Sequence, residues 1–519
     1  MNGGDFVFVN SKREHLSRAK DLAAKGRIVA AIREVSTILA AAPADRDALL
    51  HLVRLGGRND DEHSVDILLE RLFALYPQDP EIWVEAAKSW RRRGDVDAAR
   101  RALRNALVLE PCHLDAALET ALLAEDCRHM GDAVVLYDAL LAAHPGNARA
   151  IMAAAYFHRR RNDHEYSARL WRLMIAAHAK DPLGWVGLGV ALHNLGRYAE
   201  ADQAFLSALA IDPDCAPARF SRANTLLSQG RWEEGFFAFR WRTKLPQAPN
   251  CPVDLPKFTG HEPLGSRVLV WNDQGLGDAV QFARFVPLLL ARGYTPVVAV
   301  QPALVRLFKT LPGMETVVSL DGRMPESACE MAMCDLPFHL GLAHPDTIAS
   351  DPYIPMPGAG RCWLKASSSR LSVGLVWAGS AQHDNDRNRS IPLTRLEPLL
   401  SVGGIDWVGL QMGPRARDAQ DTLWRHRLAD VTGDIRDFGD TAARVAALDL
   451  VIAVDTSVAH LAGAMGIPTW LMLPKRSDWR WLVSGSETAW YPSMRLYRQS
   501  EWNDWSDVVE RIRLDLSRF

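Results

Sequence analysis

The sequence is poor in cysteine, with seven in 519 residues, at 112, 127, 215, 251, 329, 334 and 362. The set is odd and scattered, only Cys329 and Cys334 are close together, and no histidine stands near them at ligand spacing. That excludes a disulfide framework, points to no metal site, and indicates reduced thiols in a cytoplasmic protein. The chain also lacks a charge imbalance: its formal net charge is −2, which gives no electrostatic basis for binding nucleic acid or an anionic membrane. No run approaches 18 uncharged apolar residues, so no integral membrane segment is expected. MNGGDFVFVN has no basic stretch followed by an apolar core, so no signal peptide is expected either. There is no Walker loop and no nucleophile elbow, and GLGDAV lacks the third glycine of a dinucleotide fingerprint.

What is present first is a period. Pro43, Pro77, Pro111 and Pro145 are 34 residues apart, and a turn position precedes each by 17: Gly26, Asp60, Gly94 and Arg128. The same step continues through Asn162, Gly196 and Gly230, between amphipathic segments such as VDAARRALRNALVLEP. Helix, turn, helix and proline at period 34 is the tetratricopeptide pattern. About seven repeats are expected over 1–246, the fifth and sixth irregular in length. Such arrays present a surface suited to extended protein segments. The arginine runs 91–93 and 159–161 either line that surface or form a solvated face.

A proline-rich linker, 246–263, separates the repeats from alternating strand-like and helical segments. RVLVWND, PVVAV and TVVSL belong to a first half, 247–360. After a second linker, DPYIPMPGAG (351–360), come SVGLVWAG, DWVGLQ, DLVIAVD and PTWLML of a second half, 361–500. Such alternation implies parallel sheets with helices on both faces. The last stretch, 501–519, reads as an amphipathic helix packing back on the first half.

Polar clusters fall at the strand ends. In LDLVIAVDTSVAHLAGAMG (448–466) an apolar strand turns into Asp455, Thr456 and Ser457, then a small-residue helix carrying His460. A helix N-terminus at the carboxyl end of a parallel strand offers free N–H groups to phosphate. Alternatively, Thr456 or Ser457 merely caps the helix and His460 packs. In NDQGLGDAVQFARF (272–285), Gly275 and Gly277 permit a tight turn close to a ligand. There Asp278 either heads a D-x-x-Q capping box with Gln281 or faces a cleft as a proton acceptor, and the two are compatible. Arg387 and Arg389 present planar forks for a diphosphate or an exposed charged loop. Gln411 ends a strand where a base or ribose would lie, and Thr441 or Asp440 caps a helix.

Residues 267–500 resemble bacterial tetratricopeptide-repeat glycosyltransferases whose catalytic half is akin to the heptosyltransferases. The motifs are VLVWNDQGLGDAVQFARF, VGLVWAGSAQHDNDRNRSIPL, DTAARVAALDLVIAVDTSVAHLAGAMGIPTW, and DWRWL with WYPSMRLYRQ. The resemblance implies a tetratricopeptide superhelix followed by an α/β GT-B fold, two Rossmann-like domains facing a cleft. It places the catalytic base on Asp278 and donor contacts on Asp455, Thr456, Ser457 and His460, with Arg389 at the phosphates. It implies a nucleotide-sugar donor, neither metal nor cofactor, and a protein acceptor recruited by the repeats, flagellin or another surface protein. Two other readings stand beside it: a repeat scaffold with an inactive nucleotide-sugar-binding part, and a heptosyltransferase-like enzyme acting on lipopolysaccharide or other glycans. No feature specifies an oligomeric state.

Overall fold

The computed structural model describes residues 3–342, 351–356, 370–420 and 426–519. Cys362, positions 357–360 of the second linker and the 360/361 boundary lie outside the described residues. The chain divides into two compact units, Met1–Ala179 and Lys180–Phe519. The division falls inside the repeat array rather than at the proline-rich linker.

The repeats form helix pairs with a strict rhythm. The first helix of successive pairs begins at 46, 80, 114, 148, 182 and 216, each 13 residues long. The second helix is 14 residues long in five of those pairs, including His164–Ala177 and Tyr198–Ile211. The fifth and sixth repeats are therefore regular, contrary to the irregular spacing expected. Their proline at position 179 is replaced by alanine, but Pro182 at a helix start keeps the phase. The final pair ends early, at Phe239.

The seven turn positions are left-handed without exception, with φ between 53° and 78° at Gly26, Asp60, Gly94, Arg128, Asn162, Gly196 and Gly230. In each, the following residue's N–H closes the helix by reaching back to a carbonyl, as from Asp95 to Trp90 O and from Asp163 to His158 O. That is the Schellman arrangement, which satisfies carbonyls the helix leaves orphaned. Buried residues recur on the same step, small at six of seven positions: Ala31, Ala99, Ala133, Ser167, Ala201 and Gly235, with Val65 the exception.

Arginines of both runs pair between repeats, and others pack on rings of their own helix. Arg91 pairs with Glu119 and, at 2.7 Å, Asp126. Arg93 pairs with Asp66 at 2.8 Å, and Arg160 grips Glu125. Arg159 and Arg161 lie over the rings of Tyr156 and Phe157. Partly exposed pairs of this kind contribute little stability each, about 0–1 kcal/mol. What they fix is the register of one repeat on the next.

In the second unit, the last two helix pairs precede two all-parallel sheets. The first contains β1 (Arg267–Trp271), β2 (Thr295–Val300), β3 (Thr316–Ser319) and β4 (Cys329–Ala332), in the order 3-2-1-4. The second contains β5 (Leu371–Val376), β6 (Ile405–Gly409), β7 (Leu428–Asp430), β8 (Leu450–Val454), β9 (Thr469–Leu473) and β10 (Met494–Arg498), in the order 10-9-8-5-6-7. The central strands are apolar throughout because helices cover both faces. The chain is thus an all-α repeat array followed by α/β layers. Sequence patterning missed β4, β7 and β10: the first two are short, and β10 interleaves arginines with its apolar residues.

One core runs from the final repeat into both sheets. Trp232 stacks on Trp490 at 4.9 Å, and Phe236 meets Phe282 and Trp479 edge to face. Arg476, after β9, donates to Asn194 O at 2.9 Å and to the Tyr198 hydroxyl, and its guanidinium fills the space a Cβ on Gly196 would need. This explains why the final repeats belong with the sheets. The helix Ser506–Leu516 does not pack on the first half. Val508, Val509, Ile512 and Leu516 join the core of the second sheet with Val373, Leu375 and Trp377, because β10 delivers the chain to that sheet's edge.

Candidate functional site

The chain leaves β1 through Asn272, Asp273 and Gln274, all held in place. Asn272 Nδ2 donates to Gln274 O and Gln301 Oε1, both at 2.8 Å. Asp273 accepts from the buried Arg242 at 2.7 Å, and Arg242 also pairs with Asp335 at 2.6 Å. Arg242 comes from the short turn Arg240–Lys244 that ends the repeats, so the array's last residues brace the strand end.

The helix Leu276–Phe282 follows, with Gly275 at its N-cap. Asp278 is therefore not the cap. It lies in the first turn, and its Oδ2 accepts from Gly275 N–H at 3.0 Å. The capping box expected with Gln281 does not form, since the buried Gln281 Oε1 accepts from Arg480 Nε instead. Asp278 Oδ1 is ion-paired with the same arginine, whose other end holds Asp478 at 2.7 Å. Burial raises the Asp278 carboxyl above its ordinary range, against the pull of Arg480. Gly275 has φ −68°, an ordinary value, so no glycine-only turn occurs there.

From the second sheet, β8 ends at Asp455 and the helix Ser457–Ala464 begins, with Thr456 at its N-cap. Thr456 makes no side-chain cap bond, and its Oγ1 is buried without a hydrogen-bond partner. The first intrahelical bonds run from Ala459 and His460 to Thr456 O, so the N–H groups of Ser457 and Val458 precede the helical ladder. Arg389 Nη1 donates to Asp455 O at 3.0 Å, and Arg389 Nε is buried without a hydrogen bond, 3.5 Å from Asp386. Burial and the neighbouring Asp478 push the Asp455 carboxyl up to about 6. His460 is buried, its Nδ1 2.9 Å from the Tyr491 hydroxyl and its ring stacked on Trp481. Burial and the positive Arg480, Arg284 and Arg389 hold its imidazole well below its usual range, hence neutral.

The helices that follow β1 and β8 thus touch, at Gly277 against Ser457 and His460, and the Arg480 turn, with Trp481 on His460, links Asp278 to the segment Asp455 to His460, which Arg389 holds. Gly277 belongs here for a different reason from the one expected. A Cβ on it would stand 2.9 Å from His460 Cδ2, so it admits the imidazole rather than a ligand. Two other candidates, Gln411 and Thr441, are engaged in structure. Gln411 Oε1 accepts from Trp377 and Ala378 N–H at 3.1 and 2.8 Å, tying β6 to the end of β5. Thr441 is buried and donates to Asp437 O. Asp437, not Thr441 or Asp440, caps the helix Phe438–Val445, accepting from Gly439 and Asp440 N–H. Arg387 is exposed on the one-turn helix Asp386–Arg389 that carries Arg389.

Arg480, Asp478, Tyr491 and Arg242 went unrecognised as site residues. Arg480 had a signal in WRW, a lone cation between two tryptophans, the kind of setting where an arginine is buried and paired. Asp478 stands two residues before Arg480 and belongs to the same signal, whereas Tyr491 and Arg242 had none, because their partners His460 and Asp273 are distant in sequence.

An array of helix pairs followed by parallel α/β sheets, with polar residues gathered at the strand ends, defines a tetratricopeptide-repeat protein with an α/β C-terminal part. Residues 84–148 and 182–215 match tetratricopeptide repeat families. The chain is similar to Protein FlbA of Caulobacter vibrioides, with 26% identity over 509 residues, 84% of each chain. It is 26% identical over 136 residues to the general transcriptional corepressor ssn6 of Schizosaccharomyces pombe, a match spanning 26% of this chain and 12% of that protein. Among solved structures, a tetratricopeptide repeat protein from Parabacteroides merdae is 19% identical, with TM-score 0.33, covering 44% of this chain and 91% of that one. Among the described residues no helix is long and apolar enough to cross a membrane.

Proposed function

We propose that the protein is a glycosyltransferase moving a sugar from a nucleotide-sugar donor to a hydroxyl of a protein acceptor held by the repeats. The observation that carries this reading is that the helix bearing Asp278, from the first sheet, lies at Gly277 against Ser457 and His460 of the helix Ser457–Ala464, from the second, whose preceding residue Asp455 is held by Arg389. The free N–H groups of that helix and Arg389 suit a diphosphate, whose charge develops as the glycosidic bond breaks. Asp278, in the first turn of the helix after β1, suits a proton acceptor, and its raised carboxyl favours that role. Tetratricopeptide repeats are protein-interaction modules, which supports a protein acceptor. The chemistry is displacement at the anomeric carbon, with the acceptor proton passing to Asp278. Single-turnover transfer with Asp278→Asn tests it: turnover should fall by about two or more orders of magnitude while donor affinity holds. Full turnover would remove Asp278 from the mechanism.

One observation favours a second reading, a repeat scaffold with a non-reacting α/β part. Asp278 is ion-paired with Arg480, so its Oδ1 is already occupied and not open to an acceptor hydroxyl. A protein that binds nucleotide-sugar but never releases nucleotide with any acceptor would support that reading.

A further inference from the structure

The contact that covers Asp278 Oδ1 also suggests how it is controlled. We propose that Arg480 is a gate on Asp278: in the free protein it holds the carboxylate, and a diphosphate arriving at the second sheet takes the guanidinium over and releases it. The role of Asp278 rests on the glycosyltransferase reading, but the exchange of partners does not.

Arg480 sits in the turn Trp479–Trp481, after β9, and is buried. Its guanidinium reaches across to the first sheet's helix, at Asp278 and Gln281, while Nη1 stays on Asp478. The same turn lies against the helix that begins at Ser457, because the neighbouring Trp481 stacks on His460. Arg480 therefore stands between the carboxylate and the free helix N-terminus, within the electrostatic reach of both. A planar guanidinium fork matches phosphate oxygens as well as carboxylate oxygens. A diphosphate brings more charge than one carboxylate, so it wins the competition. Asp278 stays in place when the arginine leaves, because Oδ2 keeps its bond to Gly275 N–H. The atom uncovered is Oδ1. In the transfer step the acceptor hydroxyl gives its proton to Oδ1, its oxygen bonds to the anomeric carbon, and the bond to the diphosphate breaks with the electron pair going to the phosphate oxygen. Donor thus precedes a competent base.

The test reads Asp278 directly. The full chain is treated with a water-soluble carbodiimide and a glycine ester, and modification is located by peptide mass spectrometry, with and without inorganic pyrophosphate. Asp278 should resist modification in the free wild type and become several-fold more reactive with pyrophosphate, but not with sodium chloride of equal ionic strength. Arg480→Gln should be reactive from the start and indifferent to pyrophosphate. Wild-type reactivity that pyrophosphate leaves unchanged, or that salt raises equally, overturns the gate. If Arg480→Gln fails to fold, the wild-type arms still decide. A protein that exposes Asp278 on pyrophosphate yet transfers no sugar keeps the gate and loses the transferase reading; transfer without exposure loses the gate alone.

Discussion

The imidazole of His460 lies against the backbone of Gly277, in the space a side chain would need. The contact joins the helix after β1 to the helix after β8. It fixes the distance between the two strand ends on which Asp278 and Asp455 are carried. A glycine that sequence reading gives to a ligand is instead where the two sheets' helices touch.

Gly277→Ala should therefore destabilise the second unit. His460 is clamped by Trp481 and Tyr491 and cannot yield cheaply. Overpacking of this kind costs about 1–3 kcal/mol. Urea unfolding should show a lowered midpoint, whereas Gly275→Ala, meeting only the end of Asp278 at 3.1 Å, should cost less. Equal midpoints for the two variants would contradict the contact.

A second expectation concerns truncation. Residues 180–519 should fold by themselves, whereas 247–519 should not. The shorter piece loses Trp232, Phe236, Phe239 and Arg242 from its core. Removing one large buried aromatic side chain alone costs roughly 3–5 kcal/mol. Near-ultraviolet circular dichroism should show fixed aromatic packing in the longer piece and none in the shorter. A native-like spectrum from 247–519 would show that the repeats are dispensable to the fold.

For the donor site, Arg389→Ala and His460→Ala should each weaken nucleotide-sugar affinity. Hydrogen bonds to charged groups are worth roughly 1.5–3 kcal/mol, so a loss of about tenfold or more is expected for Arg389. His460 is buried, neutral and bonded to Tyr491, so its loss acts through the helix it supports and should also lower the melting temperature. Calorimetry giving wild-type affinity for both would remove them from the site.

The pH dependence has a definite sign. Asp455 has its carboxyl raised from 3.8 to about 6, so the native state holds a proton that the unfolded state has lost between those values. Its contribution makes stability fall as pH rises from about 4 to 6, and the penalty is complete above that. Asp455→Asn should therefore be more stable than wild type at pH 7, by about 1–3 kcal/mol, and equal to it below pH 4. His460, held below 6.5, acts oppositely: stability is lost as pH falls below 6.5, because only the unfolded state takes the proton. Melting curves from pH 4 to 8 for both proteins decide it, and a wild type more stable than Asp455→Asn at pH 7 would refute the burial effect.

Much of the site was legible because its residues follow strands directly. Asp455 to His460 lie in one strand–helix passage, and apolar run, polar break and small-residue helix identify it. Gln411 and Thr441 occupy equivalent strand-end and helix-start positions, yet their side chains are consumed by backbone N–H and C=O groups. A strand-end position says where a side chain is, not whether its hydrogen bonds are already taken.

The sequence by itself determined the repeat array, since a 34-residue step, a left-handed turn and a buried, mostly small position are local and recur. It determined the parallel strands that are long and apolar, for the same reason. Only the tertiary structure decided that Asp278 is gripped by Arg480, that Arg242 braces Asp273, and that the last repeats share a core with the sheets. Those contacts join residues 202, 31 and, for Trp232 with Trp490, 258 positions apart. No periodicity records such pairs, because they depend on how whole layers pack rather than on the neighbours of any residue in the chain.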